Sequence, residues 1–304
     1  MALPLEKVIV CLDYSSKDPE LIENACALCK IAGTKEMIFL NIIKDFHLPD
    51  QMKKEFPDLL DKAIDERKKE LESLVNDHFT LDLKKTLLVK QGSISKEILN
   101  VATEIKSDMI IMGKNKDSDS VLTTRVARRS PCNLLSVPQK VKLKFDEVLI
   151  PVDFSDYSQL SLKRIIAITE NTESTIYLHN VISVPSSYRY SGKSYEEFAE
   201  IIQGHAQKDL DVLTKKIEVN KQKLTPLFTV EHGENVIDLI WSESKKKKVD
   251  LIVMGAKGRT STSAIFIGSK AERMIRVNDT IPLMIIRKKG AMAGILETLK
   301  EKLD

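Results

Sequence analysis

The chain has 304 residues, with 47 basic and 44 acidic side chains and a formal net charge of +3, so no global field favours nucleic acid or an anionic membrane. A chain of this length is expected to form two domains, each long enough to bury its own core. No apolar run approaches a membrane span, and Glu6 and Lys7 precede any long apolar stretch, against a secretory signal; a cytoplasmic protein is expected.

In chain order, the first half reads as strand 8–12, a helix announced by Asp18-Pro19 as N-cap and first helical residue, and strand 37–43. After an irregular stretch, Leu59, Leu60, Ala63, Ile64, Leu71, Leu74 and Val75 recur at helical spacing. Strand 86–90, helix 95–106, strand 109–112, a short helix and strand 133–137 follow. Cys26 and Cys29 form a C-x-x-C inside ENACALCKIA, where i and i+3 share a helix face. With Cys11 and Cys132 too scattered for a disulfide framework, buried helix thiols are expected rather than a redox or metal pair.

The second half reads as strand 147–152, helix 157–169, strand 175–182, a helix carrying Phe198, Ile201, Ile202, Leu210, Leu213 and Ile217, and strand 226–231. Helix 234–246, strand 250–254, a helix from Ser269 and strand 283–286 complete it. Lys245 to Lys248 is the one basic run and reads as a solvated helix end.

The halves repeat one another. Val8 to Ser15 matches Val148 to Ser155, setting Asp13 opposite Asp153, and Ile38 to Ile43 matches Ile176 to Val181, allowing a one-residue shift. Val89 to Gly92 matches Val230 to Gly233, and Asp108 to Gly113 matches Asp250 to Gly255, at offsets of about 138 to 142 residues. Strands alternating with helices indicate right-handed crossovers and parallel sheets. The expected fold is therefore α/β: two tandem doubly wound domains, each a five-stranded parallel sheet with helices on both faces. Residues 1–143 form one domain and 144–290 the other, joined by a short basic linker near Lys140 to Phe145. In the tail, 291–304, Ile295, Leu296, Leu299 and Leu303 mark one face of a short helix.

The chemistry concentrates in VDLIVMGAKGRTSTSAIFIGS, residues 249–269. A buried strand empties into Gly255, Gly258 and Gly268, with two and then nine residues between them and Ser269 after the last. Glycine admits a close-lying anion, and free N–H groups at a helix start suit phosphate. A G-x-x-G alone reads equally well as a turn. The full pattern, G-x2-G-x9-G-S after a DLIVMG strand, resembles the nucleotide motif of the universal stress protein family, and the doubled layout extends that resemblance over nearly all of residues 1–290.

The resemblance implies an adenine-nucleotide alpha-hydrolase-like fold and ATP or AMP as ligand. It implies that Val152 and Val181 flank the base, with Pro151 and Met254 at the ends of their strands. Asp153 then lies near the ribose or a phosphate-bound divalent ion such as Mg²⁺, and Gly255, Lys257, Gly258, Gly268, Ser269 and Lys270 line the phosphates. Taken alone, Asp153 reads as a helix-capping carboxylate, Met254 as core and the two lysines as solvated. In the first half Gly113 is present, but Lys116 stands where the second glycine belongs, no glycine recurs before Gly192, and Gly113 to Pro131 spans 18 positions against 27 from Gly255 to Pro282. The first half is expected to be mainly structural, with a nucleoside or another ligand as the alternative for its retained Asp13.

A nucleotide-binding stress or regulatory protein is the leading expectation. The histidines, His47, His78, His179, His205 and His232, are dispersed, and neither G-x-x-x-x-G-K-[ST] nor G-x-G-x-x-G occurs. Slow ATP hydrolysis or adenylyl transfer, and a nucleotide-independent scaffold, are the alternatives. The family resemblance further implies pairing through the last strands, giving a homodimer or a pseudo-dimer within one chain; the protein partner is unknown.

Overall fold

The computed structural model describes residues 5–44, 54–56, 58–114, 119–215, 217–258 and 267–288. The chain divides into two compact units at Leu143 and Lys144. In the first, β1 (Lys7–Leu12), β2 (Glu36–Ile43), β3 (Lys84–Gln91), β4 (Met109–Lys114) and β5 (Asn133–Pro138) alternate with helices α1 (Asp18–Ala32), α2 (Leu59–His78), α3 (Ile94–Glu104) and α4 (Asp119–Arg129). In the second, β6 (Glu147–Pro151), β7 (Thr175–Ile182), β8 (Lys223–Val230), β9 (Leu251–Gly255) and β10 (Leu283–Ile286) alternate with α5 (Asp156–Ile168), α6 (Tyr195–Lys215), α7 (Val236–Lys246) and α8 (Ser269–Val277). A 3₁₀ turn, Ser186–Ser191, precedes α6.

Within each unit the strands are parallel, in the orders β3-β2-β1-β4-β5 and β8-β7-β6-β9-β10. The chain steps outward from the first strand, then returns to its other side. Right-handed crossovers therefore place the first two helices of a unit on one sheet face and the last two on the other. Covered on both faces, the central strands need apolar residues at consecutive positions. Val8, Ile9 and Val10 in β1 and Leu251, Ile252 and Val253 in β9 are all fully buried. The register repeats as well, with Val8 beside Met37 and Met109 in one unit and Val148 beside Ile176 and Leu251 in the other.

Three expectations change. Asp18 does not cap α1; Lys17 holds that position, and Asp18 lies one residue inside the helix. Its carboxyl instead accepts from the backbone N–H groups of Asp13 at 3.3 Å and Tyr14 at 2.7 Å, drawing the β1–α1 turn together. Gly92 and Gly233 are not at equivalent places, because Gln91 pairs with Ile43 as Val230 pairs with Ile182, so Gly92 corresponds to Glu231. Ile201 is exposed rather than core. The C-x-x-C does form buried helix thiols, and burial pushes Cys29 up to about 12. The tail 291–304 and Lys116 lie outside the described residues.

Candidate functional site

Each unit turns from its first strand into its first helix through a residue in left-handed backbone, Tyr14 with φ 63° and Phe154 with φ 59°. Neither is glycine, so each turn holds a conformation that costs on the order of 1 kcal/mol or more. The turn aims the preceding carboxylate. In the second unit the Ser155 N–H donates to Asp153 Oδ1 at 3.1 Å, and the Ser158 hydroxyl donates to the same oxygen at 3.2 Å. Ser155 also caps α5 through the Ser158 N–H. Asp153 therefore stands as a fixed acceptor at the carboxyl end of β6.

The glycine-rich loop is pinned at its described ends. The Ala256 N–H donates to Ile286 O at 2.8 Å, and the Gly268 N–H donates to Ala256 O at 2.7 Å, so the strand exit and the start of α8 meet. The loop needs its glycines for different reasons. A Cβ on Gly255 would lie 2.6 Å from Tyr157 Cβ, whereas one on Gly258 would lie 2.7 Å from Asp153 Oδ2. The first keeps α5 against β9; the second keeps the backbone beside the carboxylate open. At Gly268 a Cβ meets nothing closer than 3.5 Å, so there the missing side chain leaves space at the N-terminus of α8. Arg273 on α8 reaches both oxygens of Asp238 on α7, at 3.1 and 2.8 Å, which ties the two helices together.

Pro151, Val152, Asp153, Val181, Met254, Gly255, Lys257, Gly258, Gly268, Ser269 and Lys270 all line one cavity of about 770 Å³ at the carboxyl ends of β6, β7 and β9. That is where ligands enter doubly wound sheets, at the point where strand order reverses. Apolar walls come from Val152, Val181, Val236, Ile240, Ile267 and Ala271, and free backbone from the start of α8. Burial, with the charge of Arg287 added, holds the Lys257 ammonium below the usual lysine range. An anion placed there would relieve that repulsion.

Several residues in this cavity were not expected. Ile202, His205, Ala206 and Asp209 line it from α6, at spacings of three, one and three residues along one helix face. The apolar stripe of α6 was legible, but the stripe's meeting with the cavity depends on how α6 packs over β7 and β8, which spacing does not encode. His179 lines the cavity as well, with Nε2 at 3.0 Å from Thr229 Oγ1. Burial lowers its pKa to about 4, against the opposing charge of Glu243, so the ring is neutral near pH 7. His232 does not line the cavity; it is exposed and lies against Tyr195, with ring centroids 5.2 Å apart. Among the described residues no group of three His, Cys, Asp or Glu side chains gathers as a metal site, and no helix is long and apolar enough to cross a membrane.

The first unit has its own cavity, of about 860 Å³, at the carboxyl ends of β1, β2 and β4. Asp13 accepts from the Ser15 N–H at 3.0 Å, as Asp153 does from Ser155. At the place of Ser158, however, stands Asp18, whose pKa burial and the neighbouring Asp13 charge raise to about 6.

Comparison with known proteins follows the same division. The model of the universal stress protein family matches residues 4–138 and again residues 144–287. A universal stress protein of Methanocaldococcus jannaschii is 29% identical over 146 residues, covering 47% of this chain and 83% of its own. A second from that organism is 24% identical over 167 residues, covering 50% of this chain and 100% of its own. A universal stress protein structure from Archaeoglobus fulgidus superposes with a TM-score of 0.63 at 17% identity, covering 94% of this chain and 97% of that one.

Proposed function

Since the chain belongs to the universal stress protein family, matched twice over nearly its whole length, we propose that its second half binds an adenine nucleotide, ATP or AMP, and serves a regulatory role in a stress response. The observation that carries this reading is the junction of Asp153, Gly258 and the start of α8 around one cavity. An acceptor for hydroxyl groups stands beside backbone left bare by glycine and a helix N-terminus suited to phosphate. The base occupies the apolar compartment between Val152, Val181 and Ile240, and the phosphates lie along Gly255 to Gly258 and Gly268 to Lys270. Asp153 would hold Mg²⁺ only together with phosphate oxygens and water, because among the described residues no group of three His, Cys, Asp or Glu side chains gathers as a metal site. Such an ion would neutralise phosphate charge.

Denaturing the protein as purified, without added nucleotide, and identifying what is released by chromatography and mass spectrometry tests the ligand class. ATP or AMP is the expected product. If nothing is released, and neither ATP nor AMP binds in calorimetric titration, the reading fails and the glycines shape a loop only.

A further inference from the structure

We propose that the end of α7, in the second half, is a docking surface for an acidic segment of a partner protein, one rich in aspartate and glutamate side chains. Four consecutive lysines, Lys245 to Lys248, close this helix, and all of them are exposed. Of the four, only Lys246 has a carboxylate partner among the described residues, Glu243 at 3.1 Å. Lys245 Nζ lies 5.2 Å from the ring centroid of Trp241, and Lys247 Nζ lies 5.5 Å from that of Tyr177 on β7. A ring face attracts a cation but offers no lone pair, so these ammonium groups keep their donors for an incoming carboxylate.

The first half shows that the fold does not require this run. Asp108 and Asp250 hold equivalent places, accepting at 3.0 Å from the N–H groups of Lys7 and Glu147, which open the first strands of their units. Counting back from them sets Thr103, Glu104, Ile105 and Lys106 opposite Lys245, Lys246, Lys247 and Lys248. The two helix ends are closed alike. Lys106 and Lys248 both take left-handed backbone at φ 54°, and their N–H groups donate to Thr103 O at 3.2 Å and Lys245 O at 3.1 Å. One lysine therefore suffices to end the helix, and the other three are particular to the second half. So are its two rings, since Trp241 stands at the place of Leu99 and Tyr177 at that of Ile38.

The surroundings favour carboxylates over nucleic acid. Single strands stack their bases on bare aromatic faces, whereas here the chain's own lysines lie over both rings. A phosphate backbone needs a longer basic track, and this one stops at Asp250, with the charges of Asp146 and Glu147 beside it. A compact positive surface matches a short acidic segment. Neither ring and none of the four lysines lines the cavity of the second half, so the surface stands apart from the nucleotide reading.

The test uses the full chain and a dye-labelled octaglutamate peptide followed by anisotropy. With unlabelled peptide, the emission of Trp241, the only tryptophan in the chain, reports where it binds. Saturable binding that shifts this emission and weakens as salt is raised is expected. Lys245→Gln, Lys247→Gln and Lys248→Gln, all at exposed positions, should together weaken it about tenfold with thermal unfolding unchanged, while Lys106→Gln leaves it intact. An oligothymidylate of equal charge should bind more weakly. The proposal is overturned if octaglutamate does not bind, if its binding survives the triple substitution, or if the oligothymidylate binds more tightly, which would assign the surface to nucleic acid.

Discussion

Gly113 and Gly255 hold equivalent places near the ends of β4 and β9, yet they are glycine for different reasons. A Cβ at Gly113 would meet only Leu21 Cδ2, at an ordinary 3.7 Å, whereas one at Gly255 would drive into Tyr157. Close approach of helix to strand is a demand of the second half alone. The partner of the carboxylate after the first strand differs in parallel: Ser158 donates to Asp153, while the buried Asp18 crowds Asp13. One fold thus carries two clefts with matching apolar walls and different polar groups around them.

The largest effect that sharpens this comparison is steric. Gly255→Ala forces α5 from β9, and because the nearest atoms belong to backbone and Cβ they cannot swing aside. We expect a loss of about 3 kcal/mol, against a change within about 0.5 kcal/mol for Gly113→Ala. Urea denaturation of both variants measures it. Equal costs would mean that the two loops are packed alike.

A comparable effect, up to about 3 kcal/mol, is readable in pH, with opposite signs in the two halves. Asp18 has a folded pKa of about 6, above its unfolded value of about 3.9. The folded state therefore holds the extra proton, and the contribution is full below pH 4 and lost as pH rises through 6. His179 has a folded pKa of about 4, below its unfolded value of about 6.5. Its contribution is present above pH 6.5 and lost as pH falls through 4. Relative to wild type, Asp18→Asn should gain stability from pH 4 to 6, and His179→Leu should lose its relative advantage as pH rises from 4 to 6.5. Denaturation midpoints across this range check both signs; parallel curves for either variant would remove that group from the account.

Much of the fold was legible because buried parallel strands leave a coarse trace. Runs such as Leu251 to Met254 need no alternation when both faces are covered, and their recurrence at nearly constant offset exposed the duplication. Turns were less legible. Asp18-Pro19 carries a helix-start signal, but the stronger local demand was the left-handed residue Tyr14, whose N–H took the Asp18 carboxyl. The alignment of Gly92 with Gly233 failed since loop length, unlike strand register, is free to vary between copies. At the second cleft, the glycine spacing marked the loop, while His179, His205 and Asp209 came from elements whose packing brings them there. No local pattern distinguishes those side chains from solvated or core ones.

The central claim is that only the second half holds a polyphosphate, and counting ATP bound per chain tests it most directly. Gly258→Val suits the purpose, because a Cβ there would lie 2.7 Å from Asp153 Oδ2 and fill the space beside the carboxylate, with no backbone atom within 4 Å. Equilibrium dialysis at saturating ATP should give one nucleotide per wild-type chain and close to none in Gly258→Val, with unchanged thermal unfolding. Two equivalent sites per wild-type chain, or undiminished binding in the folded variant, would contradict the account.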